Sequence, residues 1–235
     1  MANSSIIGDD RPGTKPAPKW EALENELKQQ TATDADSLIR LLASQTNSGV
    51  RWMAIEVVGL RGDVKATNAL RQVLASDPDP LLRETAALAL ARLHDASGMP
   101  ALRKVQQDSA SLERQIFLAS RLAEFGDASG YSSVVKGARS EQSHLRYLAA
   151  GAAVALAPFQ DKRNDGTLLD PTGLLVTLAQ DPEAKVRKEV IAQMPSGLGK
   201  GLSEKILMPV LEKIAKEDED AHLREQAQLL LKTWK

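Results

Sequence analysis

Apolar residues recur along most of this chain at the three- and four-residue spacing of helices packed on one side. Trp20, Leu23 and Leu27 fall on one face, which predicts a short helix placed to cover the open end of the array behind it. From residue 34 the pattern becomes paired. "DSLIRLLAS" (36–44) predicts a first helix and "GVRWMAIEVVGLRGD" (49–63) a longer second one. The pair returns as "ATNALRQVLAS" and "PLLRETAALALARLHD", with Pro80 suited to the first turn of its helix. It returns again as "MPALRKVQQ" followed by a helix ending in "SRLAEFGD".

Two marks set the register. Asp63, Asp95 and Asp127 stand 32 residues apart, and the last two open an identical Asp-Ala-Ser-Gly. An aliphatic-Arg pair begins the second helix at Val50-Arg51, Leu82-Arg83, Leu145-Arg146, Val186-Arg187 and Leu223-Arg224. Four residues after each aliphatic come Ala54, Ala86, Ala149, Val190 and Ala227, small enough to let neighbouring helices approach. Two helices per period of about 30–45 residues is the signature of an α-solenoid. The prediction is an all-α superhelix of about six helix pairs, spanning 34–63, 64–95, 96–127, 128–160, 170–196 and 202–235. They form a single domain over 19–235 behind a flexible tail (1–18). The third pair departs from the register, with Arg114 and Gln115 at the marked positions and two competing apolar stripes. "PFQDKRNDGTLLDP" (158–171) inserts after the fourth, and "PSGLGKGLS" (195–203) reads as a loop within the next connection.

The marked residues resemble HEAT repeats, in particular the short bacterial kind found in phycobilisome-lyase-like proteins: a turn with Asp-Pro, then Val-Arg, Ala, Leu and a closing Gly-Asp. "DPDPLLRETAALALARLHD", "DPEAKVRKEV" and "GVRWMAIEVVGLRGD" carry the resemblance. It implies a structural ladder between the Arg of one unit and the Asp of a neighbour, with Arg51, Arg83, Arg146 and Arg187 facing Asp63, Asp95 and Asp127.

Composition narrows the chemistry. Thirty basic and 31 acidic residues leave a net charge of −1, so no global field favours nucleic acid or an anionic membrane. There is no cysteine, which removes disulfides and thiolate metal sites. No apolar run approaches the roughly 18 residues of a membrane span, and the first residues do not form a signal peptide. A cytoplasmic location is expected, with the periplasm open to a chain whose leader has been removed. His94, His144 and His222 lie in different units without ligand spacing, and the paired His-Glu motifs of HEAT-like iron hydroxylases do not occur. "GLGKG" lacks the spacing of a phosphate loop, no serine sits in a nucleophile elbow, and the acidic run "KEDEDAHLRE" complements a helix N-terminus. No cofactor, metal or catalytic residue is assigned.

The expected function is a non-enzymatic scaffold that binds another protein, as an extended segment or amphipathic helix, along the second helices. Helical phase selects Trp52, Ile55, Glu56, Glu84, Ala87, Leu88, Tyr147, Ala150, Gly151, Lys188, Ile191, Glu225 and Gln228 for that face, with Trp52 and Tyr147 as anchors. Two alternatives come from the resemblance: an accessory subunit like the phycobilin lyases, and a DNA-binding protein like the HEAT-like alkylpurine glycosylases. The absence of a basic line in the selected face disfavours the second.

Overall fold

The computed structural model describes Asn25, Leu27, Lys28, residues 34–43 and residues 47–233. The expected tail (1–18) and most of the predicted first helix lie outside the described residues; Leu27 is fully buried in the first unit's core. The chain divides into two compact units that meet at Asp108/Ser109.

The first unit holds α1 (Ala35–Leu42), α2 (Ser48–Arg61), α3 (Thr67–Ser76), α4 (Pro80–Arg92) and α5 (Gly98–Asp108). The second holds α6 (Leu112–Glu124), α7 (Tyr131–Ala138), α8 (Ser143–Ala155), α9 (Pro171–Leu178), α10 (Ala184–Lys200), α11 (Glu204–Glu217) and α12 (Ala221–Thr233). The irregular third pair is thus divided, α5 in one unit and α6 in the other.

Local chemistry accounts for the helix ends. Asp34, Asn47, Asp79, Ser111 and Asp170 accept backbone N–H bonds from the first turns of their helices. The repeated Asp-Ala-Ser is a turn device. Asp95 Oδ1 accepts from Ser97 N at 3.1 Å and Asp127 Oδ1 from Ser129 N at 2.8 Å, each bending the chain from a second helix into the next first helix. The residue before each of the aspartates Asp63, Asp95 and Asp127 takes a left-handed conformation, where Gly62 and Gly126 are at ease and His94 (φ 56°) is not. His94→Gly is expected to raise stability by about 0.5–1 kcal/mol, read as a higher urea midpoint at unchanged slope.

The seam is built from the predicted positions. Ala54, Ala86, Ala149, Val190 and Ala227 are all fully buried. In the first unit they pack with Leu38, Leu42, Leu70 and Leu82; in the second with Ile116, Leu145, Leu175 and Leu207. The second helices α2 and α4 of the first unit, and α6, α8 and α10 of the second, pack on one another far more closely than the first helices do, and form the dense layer of each unit.

Two segments differ from expectation. The 158–171 insertion carries a short antiparallel hairpin, β1 (Arg163–Asn164) and β2 (Thr167–Leu168), turned by Asp165 and Gly166, both at positive φ. Asn164 Nδ2 donates to Ala128 O at 3.4 Å, and Tyr131 Oη accepts from Asp170 N at 3.0 Å, which ties the insertion to the start of α7. "PSGLGK" is not loop but the last turns of α10, which ends at Gly201 in the left-handed region. Pro195 removes only one helix donor, and Gly197 packs so tightly under Leu202 and Val154 that a Cβ would lie 2.2 Å from Leu202.

Candidate interaction surface and its supporting ladder

Arg51, Arg146 and Arg187 join neighbouring repeats, but through aspartates other than those expected, whereas Arg83 donates to carbonyls of its own turn. Arg51 pairs with Asp77 and donates to Leu42 O at 3.1 Å. Arg146 grips Asp181 with two bonds, at 2.5 and 2.9 Å. Arg187 grips Asp218 with two bonds of 2.8 Å and reaches Glu219 at 3.2 Å. Each of these aspartates sits in the turn between the first and second helix of the next repeat. There it also shapes the turn, accepting N–H bonds from Asp79, Glu183 and Asp220.

A further contact recurs inside four of the turns. One Nη of Arg83, Arg146, Arg187 and Arg224 donates to the carbonyl six residues earlier, on Asp77, Ser140, Asp181 and Asp218. In the irregular repeat Gln115 does the same to Ser109 O at 2.6 Å, which fixes its register. α6 buries Ile116, Leu118, Ala119 and Leu122.

Asp63, Asp95 and Asp127, expected in the ladder, serve the other turn instead. Asp63 lies 3.3 Å from Arg61, Asp95 pairs with Arg71 of the preceding first helix, and Asp127 caps Ser129. The physical reason is reach: an arginine at the start of a second helix faces the near end of the following pair, whereas these aspartates close the far end. The signal for the true partners was an Asp six residues before an Arg, at Asp77/Arg83, Asp181/Arg187 and Asp218/Arg224.

Burial disfavours charge on Asp181 and Asp218, but the bonds from Arg146 and Arg187, the N–H groups of Glu183 and Asp220 and the nearby arginine charges together outweigh it and hold both carboxyls below their usual range. A carboxyl depressed in the folded state stabilises it above the unfolded value, near 4, and loses that contribution as pH falls through the folded value. Denaturant midpoints are therefore expected to drop below about pH 4. An Asp181→Asn, Asp218→Asn variant, less stable at neutral pH, should show a flatter acid limb.

The selected face is only partly at the surface. Ile55, Ala87 and Ala150 are fully buried, Ile191 is 4% exposed and Gly151 is buried. Except in the last repeat, where it is Gln228, the position five after the aliphatic mark is covered by neighbouring packing; a Cβ on Gly98 of α5, for example, would meet Ala87 O. Glu56, Glu84 and Leu88 are also buried. Glu56 accepts from Arg92 Nη1 at 2.9 Å. Trp52 and Tyr147 are half-buried, each packed on its own unit's core, while Lys188, Glu225 and Gln228 are exposed. The phase missed the apolar side chains that do emerge from the second helices: Leu60 and Leu81, each 37% exposed, and Leu229, 62% exposed.

His94, His144 and His222 are all exposed and lie on separate elements. Among the described residues no group of three or more His, Asp or Glu is arranged to hold a metal ion, and no helix is long and apolar enough to cross a membrane.

These repeats have recognisable relatives. A family model described as HEAT repeats matches residues 35–121. The fold is a HEAT/armadillo-type α-solenoid. Escherichia coli YibA aligns at 18% identity over 91% of this chain and 74% of its own, with a TM-score of 0.53. A designed armadillo repeat protein in complex with the peptide (KR)4 aligns at 17% identity over 84% of this chain and 98% of its own, with a TM-score of 0.50. No curated protein matches the sequence significantly.

Proposed function

We propose that this protein is a non-enzymatic scaffold that binds another protein through the surface of its second helices, as an extended segment or amphipathic helix. One observation carries the reading. The residues that recur are consumed by packing and turns, whereas the second helices still present Leu60, Leu81 and Leu229 to solvent. Exposed large apolar groups on a rigid layer supply what a partner's apolar anchors need. Trp52 and Tyr147, half-buried on second helices of their own units, are the candidate anchors. The phycobilin-lyase and glycosylase likenesses add only the shared architecture, which does not specify activity.

Affinity capture from the native host, with single Leu60→Asp, Leu81→Asp and Leu229→Asp variants, tests the reading. Ile206→Asp on α11, a first helix where Ile206 is 48% exposed, is the control. Loss of the same captured protein from a second-helix variant but not from the control is expected. Equal capture by all four variants would sink the proposal.

A further inference from the structure

Four arginines share one posture. Nη1 of Arg83, Arg146, Arg187 and Arg224 donates to the carbonyls six and five residues earlier in its own turn. A guanidinium is planar and rigid, so this clamp fixes where the edge formed by Nε and Nη2 points. In Arg146 and Arg187 that edge grips a carboxylate with both nitrogens, on Asp181 and Asp218. In Arg224 the clamp is complete, with bonds of 2.6 and 3.2 Å to Asp218 O and Glu219 O. Yet among the described residues nothing accepts from its Nε or Nη2. The acids of its own turn are engaged elsewhere. Asp218 and Glu219 bond to Arg187, and Asp220 accepts from the N–H groups of His222 and Leu223.

The side of α12 beside Arg224 is open as well. In other second helices the residue eight after the arginine mark faces the next second helix. A Cβ on Gly59 of α2 would meet Ala89 of α4, and one on Gly197 of α10 would meet Val154 of α8. The residues four and eight after Arg51, Arg83 and Arg146 are all buried: Ile55 and Gly59, Ala87 and Ala91, Ala150 and Val154. After Arg224 they are Gln228 and Lys232, both exposed. Arg83 also lacks a carboxylate, but its side of the helix is covered. Arg224 and Lys232 stand about 12 Å apart along α12, a distance that an extended chain covers in about four residues. Two cations at that spacing match two carboxylates on one extended segment.

We propose that Arg224 and Lys232 bind an acidic extended segment of a partner. One carboxylate enters the fork of Arg224 as Asp218 enters that of Arg187, and a second meets Lys232. This gives the partner's chemistry and rests on the reading of the second helices as a binding layer.

The arginine Nε–Hε resonances of the full chain, titrated with the acetylated and amidated peptide Asp-Ser-Gly-Ser-Glu, test it. The Arg224 signal is expected to move downfield and saturate, while those of Arg83 and Arg187 stay in place. The neutral peptide Asn-Ser-Gly-Ser-Gln should move none of them. Arg224→Lys keeps the charge without the fork and should weaken binding about tenfold, followed at the Lys232 amide. Lys232→Gln leaves the clamp intact and should weaken binding too. An Arg224 signal unmoved by the acidic peptide would overturn the proposal. So would equal shifts at Arg83, equal shifts with the neutral peptide, or undiminished binding by both variants. Any of these would leave the capture experiment with Leu60, Leu81 and Leu229 standing, whereas equal capture there removes the scaffold reading itself.

Discussion

Arg187→Ala is expected to cost about 3–5 kcal/mol, the largest loss from any single side chain of the ladder. Arg187 and Asp218 have side chains only 7% and 5% exposed, and the guanidinium fork fills both carboxylate oxygens. It also satisfies the carbonyls of Asp181 and Pro182 at 2.8 and 3.1 Å. Truncation would strip a buried carboxylate of its counter-charge and leave two carbonyls short of a donor. Arg187→Lys keeps the charge but loses the fork, and should cost about 2 kcal/mol. Arg71→Ala makes the contrast. Arg71 also pairs with an aspartate, Asp95, but its side chain is 51% exposed and screened by solvent, so the loss should be much smaller than for Arg187→Ala. Urea denaturation of the three variants checks the ranking. A loss for Arg71→Ala as large as for Arg187→Ala would show that burial does not set the strength of the ladder.

Gly98→Val should be nearly as damaging, for a steric reason. A Cβ at Gly98 would lie 2.5 Å from Ala91 N and 2.9 Å from both Ala87 O and Leu90 C. All three are backbone atoms of α4, so no side chain can move aside and α5 must withdraw. Overpacking of this kind costs about 1–3 kcal/mol, and valine, with two further methyls, should reach the upper end. Gly199→Ala is the matched control. Gly199 lies in α10 with open space where a Cβ would stand, and alanine there should stabilise by about 0.5–1 kcal/mol. Thermal melts of the two variants are expected to move in opposite directions.

The helical layer was legible because packing repeats what it needs. A residue at a fixed offset from an aliphatic-Arg mark must be small or apolar in every unit, and Ala54, Ala86, Ala149, Val190 and Ala227 are all fully buried. Most of the arginine half of the ladder, Arg51, Arg146 and Arg187, was legible for the same reason, while Arg83 serves its own turn. The ladder's carboxylate half was not, since both turns of each repeat carry aspartates and only geometry decides which one an arginine reaches. The exposed face was misphased because it depends on where a neighbouring helix crosses, and Ile55 and Ala87 are covered by such packing. Glycine and proline misled at 195–201, where tight packing under Leu202 outweighs their helix-breaking tendency. The hairpin could have been found from Asp165-Gly166, the residue pair its turn requires.

Partner binding on the second helices is tested most directly by photo-crosslinking, with a benzophenone side chain placed in turn at Leu60, Leu81 and Leu229, and at Ile206 on a first helix. A second-helix position is expected to join a native partner at a peptide rich in apolar or aromatic residues, while Ile206 yields none. Crosslinks confined to Ile206, with none from Leu60, Leu81 or Leu229, would contradict binding on that layer.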